Sequence, residues 1–293
     1  MYSVPHVEPV FRPPSEWNSL ILQVTIGCSY NQCTFCEMYT QPQKKFRLQA
    51  AEEIERQIKH VAESGTPVES IFLGDGDALV LSVRRLEQIL DWINLYLPDV
   101  KQVSSYCRSA NLENKSVEDL IRLREKGLSI MYVGCESGDD EVLAMVEKGE
   151  TFDSAVTELI KIKQAGMHSS VVILNGLGGS EFSRQHAEGS ARLMNAVQPD
   201  SIWLLVLTFR VAKERFEKGF NGRFHELDQQ QLLQEMAIFL EGLELENTFF
   251  RSDHASNYLP LQGYLGRDKT EMLRLVHGAI EGVVPVRQEW QRN

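Results

Sequence analysis

No apolar run in this 293-residue chain reaches the roughly 18–20 residues needed to cross a bilayer, so no membrane is expected as partner. The opening stretch, MYSVPHVEPVFRPPSEW, lacks the charged-then-apolar layout of a signal peptide, and the expected location is cytoplasmic. Excess positive charge is also missing. The 41 acids outnumber 30 bases for a net charge of −11, which argues against a phosphate polymer such as nucleic acid. There is no low-complexity tract and no repeat signature. Neither a G-x-G-x-x-G fingerprint nor a P-loop Gly-Lys-Ser/Thr occurs, so nucleoside triphosphate binding is set aside. Cysteine is scarce, at five residues, and an odd count without a leader does not suggest a disulfide framework.

What is present is a regular alternation. Near-continuous apolar runs, as buried parallel strands require, fall at 20–26, 70–73, 103–106, 130–133, 170–174 and 202–207. Helical patterns lie between and after them, at 50–63, 83–95, 117–125, 139–147 with 154–165, 184–197 and 229–243. Ser82, Ser116 and Asp228 are N-cap types, and Ser116 with Asp119 forms a variant capping box. Gly65, Gly127, Gly149 and Gly166 read as helix stops. Six β–α repeats predict a parallel sheet with right-handed crossovers. An open doubly wound sheet and an incomplete barrel both fit, and both place functional loops at the C-terminal strand ends. The Pro-rich start and 245–267 read as linkers.

Three of the five cysteines, Cys28, Cys33 and Cys36, fall in the loop after the first strand, with four residues in the first gap and two in the second. Thiolates are soft ligands for zinc, copper(I) or iron–sulfur clusters. Three of them can bind three irons of a cube and leave the fourth iron open to an outside molecule. A zinc site completed by His60 or His254 is the alternative, although His60 sits in a charged helical run that suits a solvated face.

This loop resembles that of the radical S-adenosylmethionine (SAM) superfamily. There the usual gaps are three residues then two, with an aromatic before the last Cys, as Phe35 is here. The four-residue first gap is a departure. The resemblance implies an α/β fold, a partial (β/α)6 TIM-type barrel with parallel strands. It implies a [4Fe-4S] cluster on Cys28, Cys33 and Cys36, with S-adenosyl-L-methionine chelating the open iron. After the second strand the superfamily carries a Gly-Gly-Glu-type motif that receives the SAM amino group. Gly76 and Asp77 match its end, while Asp75 departs from its first Gly. Glu136 and Ser137 after the fourth strand match ribose contacts, and Ile173 and Leu174 on the fifth match residues flanking adenine. Ser137 also suits a cap for the helix that follows.

The implied reaction is reductive cleavage of SAM to methionine and a 5′-deoxyadenosyl radical, which takes hydrogen from a small or medium-sized organic substrate. It needs a low-potential electron donor such as flavodoxin or ferredoxin and the exclusion of oxygen. The implied organisation is an N-terminal extension at 1–18, a radical SAM core at 19–210 and a C-terminal extension at 211–293 that closes the barrel. The words Arg12-Pro13-Pro14-Ser15-Glu16, Lys45-Phe46-Arg47, 75–79 and 250–261 resemble a group of roughly 300-residue stand-alone members of unassigned substrate. Some members carry a label of oxygen-independent coproporphyrinogen oxidase. That enzyme resembles a longer chain with an added helical domain, so the label stands as an alternative, beside RNA modification and a non-catalytic zinc or iron–sulfur protein.

Residues 250–261 pack Arg, Asp, His, Ser, Asn and Tyr into a short non-periodic segment, as site loops do. Arg251 is expected to hold a substrate carboxylate and His254 to move a proton, with a hydrogen-bonded plug as the other reading. Arg12 and Arg47 invite an anion-binding role, against one as plain surface charge. Trp17, Trp92 and Trp203 are expected in the core or in grooves. The stretch 216–224, with Arg215, Lys218 and Arg223, reads as a solvated loop or a flap. Cys135 is expected to pack.

Overall fold

A computed structural model describes residues 4–209, 211 and 213–288. In chain order the elements begin with β1 (Leu20–Gln23), β2 (Thr25–Ile26), β3 (Arg47–Leu48), α1 (Ala51–Glu63), β4 (Ser70–Gly74), α2 (Val83–Tyr96), β5 (Gln102–Cys107), α3 (Val117–Glu125) and β6 (Leu128–Glu136). There follow α4 (Asp140–Met145), α5 (Phe152–Gln164), β7 (His168–Asn175), α6 (Gly179–Val197), β8 (Ser201–Val206) and α7 (Lys213–Gly219). The last are α8 (Gln229–Gly242), β9 (Phe249–Arg251), β10 (Gln262–Tyr264) and α9 (Leu265–Ile280). The described residues divide into two compact units, one of 4–31, 38–133 and 158–169, the other of 32–37, 134–157 and 170 onward.

In the first unit β1 pairs in parallel with β4, β4 with β5, and β5 with β6. Ile71, Phe72 and Leu73 of β4 are all fully buried, which is why this strand reads as an unbroken apolar run. Helix α1 buries Ile54, Ile58 and Val61, a single face at helical spacing. Ser82 accepts from Arg85 N at the start of α2, and Ser116 and Asp119 close a reciprocal box on α3. Each such cap contributes about 1 kcal/mol. The expected N-terminal extension is part of this unit. His6 Nε2 donates to Ile21 O at 3.0 Å, and buried Glu16 accepts from the Tyr132 hydroxyl at 2.7 Å. Trp17 corrects an expectation, since it is 68% exposed rather than in a groove.

In the second unit β7 and β8 pair in parallel, and helix α8 packs against α6 and α9. Asp228 and Gln231 form a capping box on α8. The stretch 245–267 is not a linker. β9 joins β8 in parallel, with Trp203 opposite Arg251, and β10 returns antiparallel to β9. Nor is 216–224 a solvated loop. Phe216 and Phe220 are fully buried and Phe224 nearly so, in a cluster with Val142, Met145, Val146, Leu177 and Phe182. Phe216 is the hub, with ring centroids 5.0 Å from Phe220 and 4.8 Å from Phe224. Burying aromatic rings in this way releases more apolar surface from water than any other side chains do.

Candidate cofactor site

Within the first unit the cysteine loop is held at its base by Asp75. Its Oδ2 accepts from Gly27 N at 3.0 Å, Lys44 Nζ at 2.6 Å and Gln23 Nε2 at 3.3 Å. Lys44 and Asp75 are 0% and 1% exposed, so the ion pair is fully interior. Gly27 must be glycine. Its φ is +73°, and a Cβ there would stand 2.0 Å from Lys44 O. The Asp at the superfamily's first Gly position thus joins the two ends of the segment from Gly27 to Lys44. Sequence reasoning missed Lys44, because one Lys among Gln43, Lys44 and Lys45 carries no pattern.

Asp77 is fully buried, and its Oδ2 accepts from Ser29 N at 3.2 Å and from the Ser29 hydroxyl. Its Oδ1 is buried without a hydrogen bond of normal geometry, with the Asn111 side chain and the Arg108 charge nearby. Burial pushes the Asp77 carboxyl above its ordinary range, against the pull of Ser29 and Arg108. The Cys28 thiol is likewise raised, first by burial and then by the Asp77 charge. Arg108 stacks 4.0 Å from the Tyr30 ring centre. Gly76 leaves room for Tyr39, whose ring a Cβ at position 76 would meet at 2.1 Å.

The rest of the loop, 32–37, belongs to the second unit. Thr34 N donates to Val146 O at 3.0 Å, Cys36 N donates to Cys33 O at 3.2 Å, and Phe35 packs on the aromatic cluster together with Leu174. Arg215 of α7 donates to Cys33 O at 2.7 Å, Cys36 O at 3.1 Å and Thr34 O at 3.3 Å. The sequence marks Arg215 only as a cation beside the 216–224 stretch, and nothing in the pattern ties it to the cysteine loop.

A family model of the radical SAM superfamily matches residues 22–194, more than half of the chain. The chain belongs to the radical SAM superfamily. It is 26% identical over 220 residues to the haem chaperone HemW of Bacillus subtilis (strain 168), covering 74% of this chain and 56% of that protein. The chain therefore spans little more than half the length of this curated relative. Among solved structures it is similar to coproporphyrinogen III oxidase (HemN) from Escherichia coli, with TM-score 0.58 and 16% identity over 76% of this chain and 52% of that one. It is also similar to methylornithine synthase (PylB), with TM-score 0.52 and 18% identity over 92% and 83%. These likenesses show the fold, a mixed α/β architecture of the radical SAM barrel type with a mostly parallel sheet.

Radical SAM proteins use a [4Fe-4S] cluster and S-adenosyl-L-methionine, and the residues present fit both. Cys28, Cys33 and Cys36 are in no disulfide and are partly exposed, whereas Cys107 and Cys135 are buried. Burial raises the Cys135 thiol far above its ordinary range, as suits a packing residue. Among the described residues no group of three or more His, Cys, Asp or Glu is gathered as around one ion. The unpartnered Oδ1 of Asp77 suits an ammonium donor.

In the second unit Glu136 ends β6 with φ +66°, close to Lys148 Nζ at 4.0 Å, and burial pushes its carboxyl up to about 7. Ser137 is engaged within the protein. His186 Nε2 donates to Leu174 O at 2.9 Å, so its Nδ1 must accept, and the Ser137 hydroxyl donates to it at 2.8 Å. The same hydroxyl oxygen accepts from Asp139 N at 3.0 Å, beside the N-cap of α4. Burial holds His186 neutral, with its pKa lowered to about 4. Ile173 is buried and Leu174 half-buried.

The C-terminal candidates are internally satisfied. Arg251 grips Asp253 with Nε at 3.0 Å and Nη2 at 2.5 Å, and its guanidinium lies 4.3 Å from the Trp203 ring centre. A carboxylate from within the chain thus occupies the fork expected to hold a substrate carboxylate. His254 Nδ1 bonds Ser256 Oγ at 2.9 Å, and burial lowers its pKa. Arg287 ties the segment down through His254 O at 2.8 Å. Arg12 and Arg47 serve main-chain carbonyls of Ser19, Gln43 and Lys45.

Proposed function

We propose that this protein is a radical SAM enzyme that cleaves S-adenosyl-L-methionine reductively and abstracts hydrogen from a small or medium-sized organic substrate. The observation that carries this reading is the set of three disulfide-free, partly exposed thiols in the matched segment. When bound, the cluster and SAM supply the electron transfer and the carbon radical, hard chemistry that belongs to the cofactors. The chain's own part is placement. Cys28, Cys33 and Cys36 hold the iron. Gly76 and Asp77 receive the ammonium group, Glu136 accepts from the ribose with Ser137 fixing the turn, and Phe35, Ile173 and Leu174 line the adenine side. His254 stands on the substrate side as a neutral proton carrier. Arg251 orients that segment through Asp253. A low-potential donor such as ferredoxin or flavodoxin supplies the electron.

Anaerobic reconstitution tests this. The expected product is a chain with about four iron and about four sulfide, which forms 5′-deoxyadenosine on reduction with SAM. Cys28→Ala, Cys33→Ala and Cys36→Ala should each abolish cluster binding, and an intact cluster in all three refutes the assignment. A second reading is favoured by the similarity to HemW, a haem chaperone. It predicts haem binding, read as a visible absorption shift on titration, with SAM cleavage either absent or uncoupled from substrate.

A further inference from the structure

We infer that Arg215 is a positioning residue for the cluster ligands Cys33 and Cys36, a strap from α7 that fixes their thiolates and sets the charge beside them. The inference rests on reading these cysteines as cluster ligands. One guanidinium takes carbonyls from three of the four residues 33–36, at 2.7, 3.1 and 3.3 Å. A planar five-donor fork can gather several carbonyls of so short a turn where a lysine ammonium cannot match the geometry. The strap is itself anchored. Phe216, the next residue, is fully buried, with its ring centre 4.8 Å from Phe209 and 5.0 Å from Phe220. At the end of α7, Gly219 lies so close to Met145 that a Cβ would stand 2.0 Å from its carbonyl oxygen. Phe35, between the two cysteines, packs on the same cluster as Phe216. The turn is thus held by its carbonyls and by its one aromatic side chain, the first on α7 and the second on the cluster that contains Phe216.

Two consequences follow. Without the strap the two thiolates lose their fixed spacing, and partners of this outer kind are worth about 10-fold to 100-fold in metal retention. The guanidinium also adds a fixed positive charge near the cluster, which favours the reduced state and raises the potential.

The test uses full-length protein reconstituted without oxygen, as wild type, Arg215→Gln and Arg215→Lys. Cluster loss to an iron chelator should be about 10-fold faster in both variants. The reduced-cluster electron paramagnetic resonance spectrum should broaden in both. The midpoint potential should fall in Arg215→Gln and stay near wild type in Arg215→Lys, which keeps the charge and loses the fork. The melting temperatures of the apo-proteins should agree, since an exposed arginine stabilises the folded chain little. If Arg215→Gln fails to fold, Arg215→Lys carries the comparison of loss rate and spectrum. A loaded wild type with indistinguishable variants overturns this inference alone. A wild type that takes up no iron overturns the reading of the three cysteines and the inference with it.

Discussion

Replacing Lys44 by Met leaves Asp75 as a buried anion with only neutral donors, Gly27 N at 3.0 Å and Gln23 Nε2 at 3.3 Å. Methionine fills most of the volume of the lysine stem, so the perturbation is chiefly one of charge. Both partners are essentially without solvent contact, and removing one member of such a pair costs about 3–5 kcal/mol, most of it the cost of the stranded charge. Against a total stability of about 5–15 kcal/mol this is a large effect. Asp75→Asn keeps an acceptor for Gly27 N and removes the charge. The double variant Lys44→Met/Asp75→Asn should therefore recover about 2 kcal/mol relative to Lys44→Met alone. Urea unfolding of the apo-protein, followed by far-ultraviolet circular dichroism, reads both differences as midpoint shifts at constant slope. A loss under about 1 kcal/mol for Lys44→Met, or a double variant no better than the single, would refute the claim that an interior ion pair closes the base of the cysteine loop.

Two further outcomes are expected. Burial raises the Glu235 carboxyl from its ordinary 4.5 to about 7, so stability from this group is full below 4.5 and lost as pH climbs through 7. Glu235→Gln should gain on wild type by up to about 3 kcal/mol between pH 5 and 8, and a difference in unfolding free energy that is flat across that range contradicts the assignment. Asp77→Asn keeps the shape of the side chain and removes its charge. SAM should bind about 10-fold more weakly to the reconstituted protein while iron content is unchanged, and equal affinity in equilibrium dialysis removes Asp77 from the ammonium site.

The parts of this fold that were legible in sequence are those where one physical rule acts alone. Buried parallel strands are apolar throughout, so five of the six expected strands appear with shifts of a few residues at their ends, while the first, 20–26, is divided into β1 and β2, and β2 pairs antiparallel with β3. Ser82, Ser116 and Asp228 cap where a side-chain oxygen next to a helical run predicts. Strands β9 and β10 have three residues each, too short for any period to show. The spacing of Phe216, Phe220 and Phe224 is helical and points to one buried face, but Gly219, Gly222 and the nearby cations mask it. In the candidate site the cysteines were legible because metal chemistry restricts them to a tight spacing. Lys44 and Arg215 were not. Their roles rest on contacts to Asp75 and to main-chain carbonyls, which leave no mark on residue spacing.

The two departures from the superfamily pattern, the longer first gap and the shorter acid, are coupled in the first unit. The gap residues are not slack. Ser29 places its N–H and hydroxyl on Asp77, Tyr30 carries the Arg108 guanidinium, and Asn31, at φ +46°, donates Nδ2 to Tyr39 O at 3.2 Å. Tyr39 in turn occupies the space that a side chain at position 76 would need. An aspartate reaches one methylene less far than a glutamate, and here the loop comes to it, with Ser29 meeting Oδ2 while Oδ1 keeps no normal hydrogen bond. The four-residue gap and the shorter acid therefore meet at one contact, Ser29 on Asp77.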